Sequence, residues 1–206
     1  MPVDAVIFDI GNVLIEWQPE RFYDAEVGAA RRREMFAAID LHGMNDDVDR
    51  GHDFKGRIYA EAEARPEYAA EIRMWHDRWL ELATPEIPHS VRLLRQLRAN
   101  GVPVFALTNF GIGSFELACS RYPFLTEFDR AYVSGRMGVI KPEPLIYQVV
   151  EDDCGIAPER LIFTDDRADN IAAASARGWK VHHFDGPEGW AARLVAEGLL
   201  TEGEAV

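Results

Sequence analysis

Five short apolar runs recur along the chain: VIFDI (6–10), VPVFAL (102–107), AYVSG (131–135), LIFTD (161–165) and KVHHF (180–184). The first, Val6-Ile7-Phe8, is continuous rather than alternating, the pattern of a strand buried on both faces. Between the later runs the apolar residues fall at helical spacing. Val91, Leu94 and Leu97 line one face of a segment from Ser90 to Asn100, closed by Gly101. Pro144 to Asp153 carries Ile146, Val149 and Val150. Ala168 to Arg177 is alanine-rich and ends at Gly178, and Pro187 to Glu197 follows the last run. Strands alternating with helices predict a parallel sheet covered by helices on both faces.

Residues 16–88 break that rhythm. Polar, helix-like stretches dominate (PERFYDAEVGAARRREMFAAI, FKGRIYAEAEA, PEYAAEIRMWHDRWLELA), and no strand pattern stands out. The predicted class is α/β: a Rossmann-like, doubly wound parallel core from residues 1–15 and 89–206, with an inserted all-helical cap from 16–88. Hinges for cap motion are expected near 15–18 and 86–90. The cap aromatics Tyr68, Trp75 and Trp79, with Met74 and Leu82, are expected to bury on the core or on a partner subunit, core packing being the default.

Composition narrows the partners. With 206 residues and 48% hydrophobic content the chain can bury a proper core. A formal charge of −13 argues against nucleic acid and anionic membranes, which require a basic face. The ARRRE run is flanked by Glu26 and Glu34 and reads as a solvated helix face. Cys119 and Cys154 are too few for a disulfide framework. The opening MPVDAVIF carries no basic leader pattern, and a cytoplasmic protein is expected.

Chemistry concentrates at strand ends. In an open parallel sheet, ligands bind outside the carboxyl ends of the strands. Four polar clusters fall there or nearby: Asp9, Thr108-Asn109, Lys141 in GVIKPEP, and Asp165-Asp166 in IFTDDRADN. Asp9 and Asp166, with Asp165 behind them, supply hard oxygen ligands suited to Mg²⁺, and the Gly11 carbonyl can add another. Carboxylates so close raise one another's pKa, and a divalent cation resolves the conflict. Singly, each has a plainer reading: Asp165 or Asp166 capping the helix near Ala168, Thr108-Asn109 turning, Lys141 lying in a loop. Their order at successive strand ends favours one joint site.

FDIGNVLI, ALTNFG, IKPEPLIY and IFTDDRADNI together resemble the haloacid dehalogenase superfamily of phosphohydrolases over essentially the whole chain. The helical insert matches the position of that superfamily's cap. FDIGNVLI, KPEPLIY and DDRADNI look most like its bacterial sugar-phosphate phosphatase branch, which includes enzymes acting on alpha-D-glucose 1-phosphate. The resemblance implies Mg²⁺-dependent hydrolysis of a small phosphorylated metabolite, with Asp9 forming an aspartyl-phosphate. It implies Asp9, the Gly11 carbonyl and Asp166 as metal ligands, with Asp165 acting through water. Thr108, Asn109 and Lys141 would bind the phosphoryl group, and Asp169 and Asn170 would orient Lys141 or cap the helix. Monomer and homodimer both stay open.

One departure matters. Most phosphatases of the superfamily carry a second aspartate two positions after the nucleophile, which protonates the leaving oxygen, whereas this chain has Gly11. Three consequences follow. The cap supplies the acid from LHGMNDDVDRGH, with His42, Asp46, Asp47, Asp49 and His52 as candidates. Alternatively, the leaving group needs little help, which favours anomeric phosphates. Or catalysis is lost and the fold is a silent scaffold. A carbon–halogen hydrolase is the other rival, although Asp165 and Asp166 would repel its carboxylate substrate. No G-x-S-x-G elbow is present. His182 and His183, neighbours on a strand, face opposite sides and cannot chelate together.

Overall fold

Ala5–Phe8 (β1) has no solvent exposure at any residue because strands flank it on both edges and helices cover both faces. The computed structural model describes residues 2–206. The other sheet strands are Val104–Thr108 (β4), Arg130–Val133 (β5), Leu161–Asp165 (β6) and Lys180–His183 (β7). Their order is β5-β4-β1-β6-β7, and every pairing is parallel. The chain therefore leaves β1 for one side of the sheet and later returns to its other side, which makes the end of β1 a topological switch point.

Alternation along β1 divides the core. Val6 and Phe8 pack with Leu94 and Leu97 of α7 (Pro88–Ala99) and with Trp190 and Leu194 of α12 (Pro187–Ala196). Ala5 and Ile7 face the other way. They join Ile146, Tyr147 and Val150 of α10 (Pro144–Cys154) and Ala174 of α11 (Ala168–Ala176). Two further helices, α8 (Ile112–Arg121) and the single turn α9 (Ser134–Met137), complete the sheet region. The apolar periodicity anticipates α7, α10, α11 and α12 to within two residues at either end. The sequence pattern does not reveal α8, whose IGSFELACSR mixes glycine and serine into the repeat.

The insert is helical between two short strands. It contains α1 (Pro19–Glu26), α2 (Ala29–Ala38), α3 (Leu41–Asp49), α4 (Phe54–Ala64), α5 (Ala69–Asp77) and α6 (Trp79–Leu82). At its base, β2 (Ile15–Trp17) pairs antiparallel with β3 (Ala83–Glu86). Where the sequence reading expects hinges and no strand, the structure has this ribbon. Three- and four-residue strands, one of them ATPE, are too short for a period to show. Trp75 is fully buried against Trp17 and Tyr23, and the cap's apolar cluster is continuous with the one beneath the sheet. Burial of that size stabilises by about 3–5 kcal/mol for a single tryptophan. Among the described residues, no helix is long and apolar enough to cross a membrane.

Candidate active site

Asp9 follows β1 directly, where the backbone leaves the sheet and the carboxyl ends of β4 and β6 lie alongside. Its Oδ1 accepts the Ile10 N–H at 2.7 Å and lies 2.8 Å from Lys141 Nζ. Among the described residues no hydrogen bond engages Oδ2. The carboxyl lines a cavity of about 330 Å³ between sheet and cap. Burial, then the charges of Asp165 and Asp166, push it up to about 7 against the pull of Lys141.

Lys141 is almost wholly shielded from solvent, and three oxygens surround its ammonium. Besides Asp9, it donates to Asp165 Oδ2 at 2.7 Å and to the Leu107 carbonyl at 2.8 Å. Burial pulls its pKa down, but Asp165 and Asp9 more than offset this and hold it above the ordinary lysine value. A permanent cation therefore sits beside Asp9. Asn109 fixes the backbone there: its Oδ1 accepts the Lys141 N–H at 2.8 Å, and its Nδ2 donates to the Lys141 carbonyl at 3.0 Å. The Asn109 amide, expected to bind substrate, is thus engaged with Lys141 while lining the cavity. Thr108, the last residue of β4, lines it too.

Asp165 ends β6 with no exposure. Its oxygens accept from Lys141, from Asn170 Nδ2 at 3.0 Å each, and from the Arg167 N–H at 2.8 Å. Asn170, expected either to orient Lys141 or to cap the helix, donates to the Asp165 carboxylate that Lys141 also meets. Asp169 instead pairs with exposed Arg167. Asp166 is half-buried, and burial raises its pKa. One of its oxygens accepts from Asn12 Nδ2 at 2.9 Å, and its backbone carbonyl accepts from His183 Nε2 at 2.9 Å.

Asn12 is the residue that sequence reasoning passes over as a turn former. Its φ of 53° places it in the left-handed region, and its Oδ1 accepts the Trp17 N–H at 2.9 Å. It ties the loop after β1 to Asp166, 154 positions away. The positive φ that asparagine tolerates was its one local signal.

Oxygens of Asp9, Asp165 and Asp166 lie within 4.8 Å of one another. Three carboxylates so placed fit a hard divalent cation, with Asp9 and Asp166 better disposed than Asp165, whose oxygens are already engaged. Of the acids expected from the cap, His42, Asp46 and Asp49 line the cavity, whereas Asp47 is paired with Arg57 at 2.8 Å. His52 does not line it. His182 and His183 separate as expected: His182 lies against Trp190, away from the site.

A match to the haloacid dehalogenase-like hydrolases spans residues 3–178, and the chain belongs to that family. It is similar to the sesquiterpene phosphatase astK of Aspergillus oryzae, with 27% identity over 84% of this chain and 86% of that protein. Drimenol cyclase drtB of Aspergillus calidoustus is 25% identical over 86% of this chain, which spans only 33% of that protein. In fold it resembles the haloacid dehalogenase family enzyme bt-2542 of Bacteroides thetaiotaomicron, with a TM-score of 0.76 at 23% identity. That match covers 94% of this chain and 99% of the other.

Proposed function

We propose that the protein hydrolyses a small phosphate monoester, a sugar phosphate, through an aspartyl-phosphate on Asp9 with Mg²⁺ as cofactor. The observation that carries this reading is the pairing of Asp9 with a permanently charged, buried Lys141, beside a second carboxylate at the switch point. Phosphatases among its relatives support it, as does the fold resemblance to an enzyme that has been crystallised with magnesium and inorganic phosphate.

Asp9 Oδ2, free of hydrogen bonds, forms the bond to phosphorus as the bond to the leaving oxygen breaks. Lys141 and the Thr108 hydroxyl, both from residues that line the cavity, would bind the phosphoryl oxygens and stabilise the charge on them. Water then attacks the same phosphorus, releasing phosphate and restoring Asp9. Mg²⁺ held by Asp9, Asp166 and the Gly11 carbonyl would neutralise phosphoryl charge. The cavity wall favours a hydroxylated ring. Trp17 and Trp79, centroids 5.7 Å apart, lie beside Asn45, Asp46 and Glu16, so apolar ring faces sit next to hydrogen-bonding groups.

The test is phosphate release from glucose 1-phosphate, glucose 6-phosphate and p-nitrophenyl phosphate, with Mg²⁺ or EDTA, in native and Asp9→Asn protein. Metal-dependent release that vanishes in the variant is expected. Folded, metal-loaded protein that releases none from any ester would sink the reading.

A further inference from the structure

Asp49 ends α3 of the cap and is 7% exposed, yet lines the same cavity as Asp9 and Lys141. No ion pair reaches it among the described residues. Its Oδ2 accepts from Asn45 Nδ2 at 2.8 Å, and the Asn45 Oδ1 accepts from the buried Trp75 indole at 3.0 Å, which fixes how that amide is turned. The nearby Gly111 N–H favours the charged form of the same carboxyl.

The backbone here is fastened to the core. The Asp49 carbonyl accepts from Ser134 Oγ at 2.6 Å. Two residues on, Gly51 (φ +99°) packs so closely that a Cβ would lie 2.5 Å from the Gly135 carbonyl oxygen. Burial with no cation in contact favours the protonated carboxyl and outweighs the neutral N–H donors, which pull the other way.

We propose that Asp49 is the proton donor to the leaving oxygen, the role that Gly11 cannot fill; the assignment rests on the phosphatase activity proposed above. As Asp9 bonds to phosphorus, the breaking P–O bond leaves its electron pair on the ester oxygen. The Asp49 proton passes to that oxygen. The alcohol departs neutral, and Asp49 becomes a carboxylate. In the second step the water's oxygen bonds to phosphorus and displaces Asp9, its protons leave with the phosphate product, and Asp49 regains a proton from solvent. Phosphate leaves, and both aspartates are restored. Burial, then the charges of Asp46 and Asp9, push the Asp49 carboxyl up to about 8, opposed by the Gly111 N–H and Lys141, so it is protonated at neutral pH. Asp46, more exposed and facing Arg167 and Arg50, is the poorer candidate.

Leaving groups provide the test. Native and Asp49→Asn protein, loaded with Mg²⁺, are compared on p-nitrophenyl phosphate, whose phenolate departs unaided, and on glucose 6-phosphate, whose alkoxide does not. The rate on the sugar ester is expected to fall by about 10²–10⁴-fold while the aryl ester changes little. Retained aryl turnover also shows that the variant folds. If it does not fold, native protein is run on a series of substituted aryl phosphates. A shallow dependence on leaving-group pKa supports the donor, and a steep one overturns it. An equal loss on both esters, or none, overturns it as well. Native protein that cleaves only the aryl ester overturns the donor and leaves the phosphatase reading standing. Native protein inert towards both overturns the two together.

Discussion

The Lys141 ammonium lies 2.7 Å from Asp165, with the two side chains 1% and 0% exposed. Asp165 holds the cation in place while its own oxygens are held by Asn170. Removing Asp165 takes one of two counter-charges from the buried ammonium and leaves it with Asp9 alone. Asp165→Ala is therefore expected to lose about 3–5 kcal/mol of stability in urea unfolding. Its turnover should drop on the order of 10²-fold, because Lys141 is no longer aimed. Asn170→Ala should behave alike but more mildly, by about 1–3 kcal/mol.

Added Mg²⁺ should raise the unfolding temperature, since the proposed site exists only where folding brings the three carboxylates together. At a hundred times its dissociation constant the gain is about 2.7 kcal/mol. The ion requires Asp9 deprotonated, and burial holds that carboxyl up near pH 7. The shift in melting temperature should therefore grow between pH 6 and pH 8. Asp166→Asn should abolish most of it, and a shift unaltered by that variant would remove Asp166 from the metal site.

Asp49 links stability to pH in the opposite sense to most carboxylates. The folded protein keeps its proton up to about pH 8, whereas the unfolded chain releases it near 3.8. Its contribution is fully present below about pH 3.8 and is lost as pH rises through 8. Asp49→Asn, which never ionises, should be more stable than native protein at pH 9, with the difference closing towards pH 4. Thermal unfolding in EDTA across that range measures it.

Gly11 need not be glycine for steric reasons. A Cβ there meets nothing nearer than 3.9 Å, at Trp17 Cβ. Gly11→Asp should fold normally and, placed in Asp49→Asn protein, restore glucose 6-phosphate hydrolysis by on the order of 10²-fold. Turnover of the double variant on that ester decides it.

Residue order alone made much of this site visible, because a parallel sheet sends every β-to-helix turn to one edge. Asp9, Thr108 and Asp165-Asp166 meet there for that reason, and Lys141 joins them from the loop that follows β5 and α9. Contacts between distant residues were hidden. Nothing local in FDIGNVLI says that Asn12 grips Asp166, or that Asn109 clasps Lys141 from a different strand end. In LHGMNDDVDRGH five polar candidates look equivalent, and only the packing of α3 on Ser134 and Gly135 separates buried Asp49 from Asp47, which pairs with Arg57. The ribbon of β2 and β3 escaped because its strands are shorter than any readable period.

The most direct measurement is the mass of the peptide carrying Asp9, from Mg²⁺-loaded protein quenched in acid during turnover of glucose 1-phosphate. A gain of one phosphoryl group on that peptide is expected, absent with EDTA and absent in Asp9→Asn. Phosphate release at full rate with that peptide never modified, or with the phosphoryl group on another residue, would contradict Asp9 as the nucleophile.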